Sequence, residues 1–236
     1  MEVLVVFASK SNERTYSRIV EKLKAHGISF DFRICSAHKS PKLMDEVLKG
    51  EYDLIIAGAG LAAHLAGAIA SKTTVPVIGV PCKDNFDGLD AFLSTVQMPP
   101  GVSVLSTGVD GNPAVFEWLF EKHKGVNITG GKKNKSIDQC TELLNRFGIK
   151  QGTLQIHFYD LDHENPKAEA LNVPLKIEPD ARDAITFKEK SRNVLTFGMN
   201  NGKNAALFVA QLLGEDISSY RKELEKNVRE DDKKCN

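Results

Sequence analysis

Short apolar runs that alternate with helical patterns limit this chain's fold more than any other feature. Residues 3–7, 54–57 and 75–80 are continuous apolar runs. Such runs are typical of strands that are buried on both faces of a parallel sheet. Residues 29–34 alternate apolar and polar side chains instead, which indicates a half-buried strand. A fifth strand is predicted at residues 102–106.

Helical patterns separate these strands. Ser40 is a suitable N-cap, and Pro41 suits the first helical position because its missing N–H costs nothing there. Strands alternating with helices imply right-handed crossovers. The sequence therefore predicts an α/β fold built on a doubly wound parallel sheet.

Composition excludes several classes of protein. The 31 basic and 31 acidic residues give a net charge of +0, so no overall field favours nucleic acid or a membrane surface. No apolar run approaches the ~20 residues that span a bilayer, and the N-terminus enters a strand without a secretory signal. The 4 cysteines are widely spaced, which predicts reduced thiols. We expect a cytoplasmic protein with no nucleic-acid or membrane partner.

Polar and small residues follow each of the first three predicted strands. These residues are Ser9, Ser11 and Asn12, then Ser36, His38 and Lys39, then Gly58, Gly60 and His64. Ligands bind beyond the carboxyl ends of the strands in such sheets. Hydroxyls, backbone N–H groups and a lysine suit a phosphate. Neither a Walker A loop nor a GxGxxG motif is present, so a nucleoside triphosphate or dinucleotide is not indicated.

Each turn also has a purely structural interpretation. The turn at His38 is either a capped turn with an exposed histidine or a site with a proton carrier. The recurrence of similar turns favours the site. Gly58 and Gly60 alone are better explained as a common strand-ending turn. His64 suits a packing histidine and a ligand contact equally well.

Five stretches together resemble one protein family. They are SAHKSP (36–41), GAGLAAHLAG (58–67), VPVIGVP (75–81), GLDAFLSTVQMPPGV (88–102) and NAALFVAQLLG (204–214). In this order they resemble the class I N5-carboxyaminoimidazole ribonucleotide mutase, or aminoimidazole ribonucleotide carboxylase, family of purine biosynthesis. The resemblance implies a flavodoxin-like three-layer sandwich that assembles as a homo-octamer.

The resemblance also implies roles for individual residues. His38 falls on the family's essential histidine. Substrate contacts fall on Ser9, Ser11, Asn12, Ser36, Ala37, Lys39, Gly58, Gly60, Ala63, His64 and Leu65. Asn12 replaces the family's ribose-binding Asp, and Lys39 replaces the usual Arg, as in the animal-type carboxylases. Ala8 and Ala66 replace a Gly and a Pro. These changes leave open whether the substrate is the usual nucleotide or a relative.

The activity implied is transfer of a carboxylate on an aminoimidazole ribonucleotide. In the mutase reaction the carbamate loses CO2, which is recaptured at C4 of the ring. No metal or organic cofactor is expected, because the electron-rich ring is itself the nucleophile. Two alternatives remain: direct carboxylation with free CO2, which Lys39 suggests, and a non-catalytic nucleotide-binding protein.

One segment departs from the resemblance. We predict a core of residues 1–111 and 194–236, with residues 112–193 as a small inserted α+β subdomain of unknown function. Gly130 to Lys135 is better explained as a solvated loop than as a phosphate site. A possible metal cluster is formed by His157, Asp160, Asp162 and His163. A strand end with exposed charges explains these residues better, so no metal site is predicted.

Overall fold

The computed structural model describes residues 1–235, which form nine strands and eight α-helices. The strands are β1 (Glu2–Phe7), β2 (Ser29–Ile34), β3 (Leu54–Ala59), β4 (Val77–Pro81), β5 (Leu105–Ser106), β6 (Val126–Gly130), β7 (Leu154–Asp160), β8 (Leu171–Leu175) and β9 (Leu195–Thr196). The helices are α1 (Glu13–Ala25), α2 (Pro41–Val47), α3 (Leu65–Lys72), α4 (Leu89–Val96), α5 (Lys135–Arg146), α6 (Ala181–Lys190), α7 (Gly202–Leu212) and α8 (Ser218–Cys235).

All nine strands belong to one sheet, in the order β2-β1-β3-β4-β5-β9-β8-β7-β6. The first five follow the order 2-1-3-4-5 of flavodoxin-like folds. Neighbouring strands are parallel except β5 and β9, which pair antiparallel at Ser106 and Thr196. The predicted α/β, doubly wound, flavodoxin-like sheet is confirmed.

Helices cover both faces of this sheet. Val3 and Val5 join an apolar cluster with α1, α5 and α7, whereas Leu4 and Val6 join another with α2 and α3. Successive side chains of a strand point to opposite faces, so a continuous apolar run requires cover on both sides. The three predicted layers follow from this arrangement.

The fifth strand is shorter than the sequence predicted, because its first part binds a helix. Asn204 at the start of α7 accepts a hydrogen bond from the Gly101 amide through its side-chain oxygen, at 2.8 Å. The Ser103 hydroxyl donates to the Asn204 carbonyl at 2.7 Å. Only Leu105 and Ser106 remain free to pair with neighbouring strands.

Three elements of the structure were not predicted from the sequence: the strands β6 and β8 and the helix α6.

The chain folds as two related halves, which we call the first half (residues 1–120) and the second half (residues 121–235). Beyond β2, the sheet order reads the same from either end, with β1, β3, β4 and β5 matching β6, β7, β8 and β9. The antiparallel pair Ser106 and Thr196 lies at the centre. In the second half α5 leads directly from β6 to its neighbour β7, so β2 and α2 have no counterpart there.

The segment predicted as an inserted subdomain contributes β6, β7 and β8 to the common sheet. In addition, β9 and α7, which the sequence analysis assigned to the core, pair with β8 and pack against α5. The segment is therefore no separate layer, and the boundaries of residues 112–193 do not coincide with those of the second half. Whether the segment forms an independent domain stays a prediction.

The alanine-rich helices are packed inside the chain. Ala205 and Ala206 of α7 are fully buried, and Ala66 and Ala70 of α3 are nearly so. These side chains therefore offer no free surface to another subunit, whereas Ala62 is exposed and Ala68 is half-buried. Among residues 1–235, no helix is both long enough and apolar enough to cross a membrane.

Candidate active site

The turns after β1, β2 and β3 begin side by side at one edge of the sheet. The Cys35 amide donates to the Phe7 carbonyl at 2.9 Å, and the Ala8 amide donates to the Gly58 carbonyl at the same distance. These bonds continue the parallel pairing to the last residues of the strands. The order β2-β1-β3 thus brings together the three turns that the sequence singled out.

The β1 turn presents hydroxyl groups at the start of α1. The Ser9 hydroxyl accepts hydrogen bonds from the Ser11 amide at 3.2 Å and from the Ser11 hydroxyl at 2.8 Å. Asn12 occupies the N-cap position of α1, but its side chain makes no capping bond. The side-chain amide of Asn12 is therefore available to a ligand, whereas the backbone amides of Asn12 and Glu13 donate to the Ser9 and Lys10 carbonyls.

The β2 turn is held by its own serines. The Ser36 amide donates to the Ser40 hydroxyl at 2.9 Å, and the Lys39 amide donates to the Ser36 hydroxyl at 3.2 Å. Ser40 therefore binds Ser36 rather than capping α2. The fixed turn leaves His38 and Lys39 exposed, beside the half-buried Ala37.

His38 and His64 contact each other across the edge. Their rings lie 5.0 Å apart at 87°, and the distance from His38 Nε2 to His64 Nδ1 is 3.0 Å. A single hydrogen lies between the two nitrogens, so one ring donates and the other accepts. Both side chains are exposed. His64 is therefore no buried packing histidine, and it orients the ring of His38.

The glycines of the β3 turn serve different purposes. A Cβ atom on Gly58 would lie 2.0 Å from the Phe7 ring, so Gly58 is required for packing of the core. A Cβ atom on Gly60 would meet nothing closer than the Cys82 carbonyl, at 3.4 Å. A methyl group at Gly60 would thus fit in ordinary contact with the Cys82 carbonyl and the Asp84 side chain.

The two apolar site candidates lie at the base of the β3 loop (residues 60–64). Ala63 and Leu65 are 2% and 1% exposed, and both belong to the apolar cluster that α2 and α3 build on the sheet. Their side chains therefore pack in the core, and among the other candidates Gly58 is buried as well.

The residue that binds this loop, Ser94, was not among the site residues predicted from the sequence. The Ala63 amide donates to the Ser94 hydroxyl of α4 at 2.8 Å. Ser94 lies within the stretch GLDAFLSTVQMPPGV, but helical spacing alone does not reveal which partner a hydroxyl binds. Asp84 was also missed, and its Cβ lies 3.6 Å from the Cβ position built on Gly60.

Asp84 belongs to the β4 loop (residues 83–88), which adjoins the β3 loop. Phe86, Asp87 and Gly88 have φ angles of 49°, 55° and 75°. Non-glycine residues in this left-handed region cost about 1–2 kcal/mol each. Two lysines hold Asp87 in place: Lys83 Nζ at 2.5 Å and Lys188 Nζ at 3.1 Å from its carboxylate. Hydrogen bonds from both ammonium groups lower the pKa of Asp87 to about 2.

The carboxylates of Asp160 and Asp162 already have hydrogen-bond or ion-pair partners in the second half. Ligand atoms of Asp160, Asp162 and His163 lie within 4.8 Å of one another. However, Asp160 accepts hydrogen bonds from the Asp162 and His163 amides, and Asp162 pairs with Lys176 at 2.6 Å. His157 stays apart, beside Thr129 at 3.2 Å. The turn and its ion pair account for this cluster.

The glycine–lysine loop after β6 lies on the other edge of the sheet from His38. It does so because β6 runs antiparallel to the strands of the first half. Lys132 and Lys133 are exposed, as the sequence analysis expected of a solvated loop.

The known proteins that are similar to this chain carry related enzyme names. A protein-family model described as AIR carboxylase matches residues 2–116. An N5-carboxyaminoimidazole ribonucleotide mutase of Methanocaldococcus jannaschii is 47% identical over 129 residues, covering 53% of this chain and 82% of the relative. The mutase of Pseudomonas aeruginosa is 40% identical, covering 62% and 88%.

Two further similarities are more limited in extent. A chloroplastic phosphoribosylaminoimidazole carboxylase of Vigna aconitifolia is 42% identical, covering 44% of this chain and 20% of the relative. A crystal structure of Treponema denticola PurE is 28% identical, with a TM-score of 0.45, covering 51% of this chain and 82% of that chain.

Proposed function

Because the chain belongs to the AIR carboxylase family, we propose that it interconverts N5-carboxyaminoimidazole ribonucleotide and 4-carboxyaminoimidazole ribonucleotide in purine biosynthesis. Every candidate site residue lies within residues 2–116, the part that matches the family. The observation that carries the proposal is the contact between His38 and His64 at 3.0 Å, on the same edge as the hydroxyls of Ser9 and Ser11.

The reaction needs one group that both gives and takes a proton. Loss of CO2 from the carbamate leaves a ring-bound nitrogen that must gain a proton. Attack of C4 on that CO2 leaves a carbon that bears a proton and the new carboxylate, and loss of this proton restores the aromatic ring. The proton removed at C4 balances the one added at nitrogen. Histidine suits this cycle, because its neutral and charged forms are both accessible near neutral pH.

His38 is the group we assign to this proton transfer. Its Nε2 faces His64, and its Nδ1 has no hydrogen-bond partner among the described residues. The hydrogen bond to His64 restrains the ring and its tautomer, which leaves Nδ1 to face the substrate. Positioning of this kind contributes to catalysis because it fixes the acid–base group before the substrate arrives.

The neighbouring turns suit the rest of the nucleotide. The Ser9 and Ser11 hydroxyls, with the charge of Lys39, match a phosphate. Lys39 is exposed and forms no ion pair within residues 1–235, so its charge is free for the substrate. Asn12 replaces a carboxylate with a neutral amide at the predicted ribose contact. We propose a ribonucleotide and CO2 as the ligands, without a metal or organic cofactor.

Two features favour a second candidate, the direct carboxylation of aminoimidazole ribonucleotide with CO2. Lys39 is a point charge where a planar arginine would bind phosphate in two places, and one relative is named a carboxylase. Assays with the carbamate, and separately with the free amine plus bicarbonate, distinguish the two reactions. Turnover of neither compound, with binding of either, would leave the non-catalytic alternative.

Replacement of His38 tests the assignment. We expect His38→Asn to fold and bind the nucleotide but to lower kcat at least ~10²-fold, the usual contribution of a positioned proton carrier. His64→Asn should cost about tenfold, because the ring of His38 loses its restraint. His26→Asn is the control, since His26 pairs with Glu117 at 3.3 Å away from this edge. Normal turnover in His38→Asn would refute the assignment.

The assembly and cellular location are also proposals. We propose a cytoplasmic homo-octamer, by analogy with the family. Ala205 and Ala206 of α7 are buried within the chain, whereas Ala62 and Ala68 keep exposed surface that a subunit contact could use. Light scattering at micromolar concentration measures the assembly directly, and a monomer would refute the octamer.

A further inference from the structure

The second half reaches the candidate active site through α4. The Phe187 ring of α6 packs edge-on against the Phe92 ring of α4, with centroids 5.0 Å apart. Both rings are at most 2% exposed and share an apolar cluster with Val96, Tyr159 and Leu161. Because close-packed interiors transmit displacements, this contact couples the position of α4 to the second half.

A polar contact from the same helix reaches the β4 loop. Lys188 Nζ lies 3.1 Å from the Asp87 carboxylate and 3.2 Å from the Asp87 carbonyl oxygen. The Lys188 side chain is 12% exposed and that of Asp87 is 58% exposed, so the largely buried lysine of α6 holds a carboxylate that lies at the surface. Lys188 thus binds both the side chain and the backbone of a loop that holds a left-handed conformation.

Both contacts converge on the histidine pair. On α4, two residues beyond Phe92, the Ser94 hydroxyl accepts the Ala63 amide at 2.8 Å. Ala63 directly precedes His64, whose ring contacts His38. On the other side, the β4 loop places Asp84 against Gly60, at the start of the same β3 loop. The β3 loop is therefore hydrogen-bonded to α4 at Ala63 and lies beside the β4 loop at Gly60, and α6 contacts both α4 and the β4 loop.

We propose that Lys188 is a positioning residue: through Asp87 and α4, the second half holds the β3 loop so that His64 restrains His38. This inference rests on the proposed function for its catalytic consequence. Its structural part, the restraint of residues 60–64, does not depend on which reaction occurs.

Lysine variants of α6 provide a matched test. Lys188→Met keeps the length of the side chain and removes the ammonium group, and Lys188→Arg restores the charge. Lys190→Met is the control, since Lys190 donates to the Leu161 and Glu164 carbonyls and so contacts only the second half. Amide hydrogen exchange of residues 60–64 and 83–88 reports the restraint. The kcat and KM values report its effect on catalysis.

We expect Lys188→Met to speed exchange in both loops and to lower kcat about tenfold with little change in KM, because positioning acts on the chemical step. Lys188→Arg should restore both values. Lys190→Met should leave the loops and kcat as in the wild type. Unchanged exchange and kcat in Lys188→Met would overturn the inference, as would an equal effect in Lys190→Met.

Two variants, each of which removes one hydroxyl group from α4, test the contact between α4 and the β3 loop. Ser94→Ala removes the acceptor of the buried Ala63 amide, whereas Thr95→Val removes a hydroxyl that binds only Ala91 of its own helix, at 2.8 Å. We expect exchange of the Ala63 amide to rise about tenfold in Ser94→Ala, the effect of one hydrogen bond, and to stay unchanged in Thr95→Val. Equal behaviour of the two variants would overturn this step.

The two proposals fail in different ways. If the wild-type protein turns over neither substrate, the proposed function fails, while the exchange measurements still decide whether Lys188 restrains the loops. If the wild type is active and Lys188→Met matches it in both exchange and kcat, the positioning role fails and the proposed function stands.

Discussion

Asp110 and Asn200 hold equivalent places in the two halves of the chain, with φ angles of 59° and 57°. Each amide donates at 2.8 Å to a proline carbonyl, that of Pro81 or Pro174. Each side-chain oxygen accepts the amide of the lysine two residues beyond that proline, at 2.8 Å in the first half and 3.2 Å in the second. The second half therefore repeats the first in backbone detail, although it lacks β2 and the turn that carries His38.

One prediction follows for binding stoichiometry. Only the first half has the β2 turn, so we expect one nucleotide per chain rather than two. Calorimetric titration with 4-carboxyaminoimidazole ribonucleotide measures this number, and His38→Asn should keep it. Two equivalents per chain would contradict the prediction and place a second site at the edge of β6 and β7.

The two glycines of the β3 turn give a second prediction. Gly58→Ala forces a methyl group into the Phe7 ring, and such overpacking should lower the free energy of unfolding by about 1–3 kcal/mol. Gly60→Ala has room for its methyl group and should change stability by less than about 0.5 kcal/mol. Urea denaturation compares the variants.

Periodicity predicted the first half well, because its signals are local. The apolar runs at β1, β3 and β4 need no knowledge of their neighbours to indicate buried strands. The turns at Ser9, His38 and Gly60 then followed from the rule that ligands bind at the carboxyl edge. The contact between His38 and His64 did not follow, since it depends on the path of the β3 loop.

The repeat of the two halves is hard to recognise in the sequence, because the second half has no counterpart of β2 and α2. The stretches Val80-Pro81-Cys82-Lys83 and Val173-Pro174-Leu175-Lys176 are similar, as are residues 104–110 and 194–200. Their separation differs from that of a simple duplication, because β2 and α2 are absent from the second half. Comparison of the chain with itself would have revealed β8, and with it β9 as the partner of β5.

A third prediction concerns pH and His157. This side chain is 7% exposed, and burial, with the nearby charge of Lys167, lowers its pKa. The unfolded chain, in which histidine has a pKa of about 6.5, therefore binds more protons than the folded one as the pH falls through that value. Stability should consequently decrease on acidification.

Thermal unfolding at about pH 7.5 and about pH 5.5 tests this prediction. We expect the melting temperature of the wild type to fall on acidification, and His157→Gln to show a smaller fall. His163→Gln is the control, since His163 is exposed on the loop that follows the same strand. An unchanged pH dependence in His157→Gln would show that other groups cause the decrease.

The last prediction concerns the thiols, all 4 of which are free. Cys35, Cys82 and Cys140 are at most 1% exposed, and burial raises the pKa of Cys82 and of Cys140 to about 12. Thiolates are the reactive form, so Cys82 and Cys140 should resist alkylation, and burial should keep the reagent from Cys35. Cys235 is exposed and should react alone in the native protein, as mass spectrometry after iodoacetamide treatment would show.

Denatured protein is the control, and all 4 of its thiols should be modified. The Cys235→Ser variant should not react in its native state. Rapid native labelling of Cys82 would mean that the β4 loop opens, because Cys82 directly precedes it.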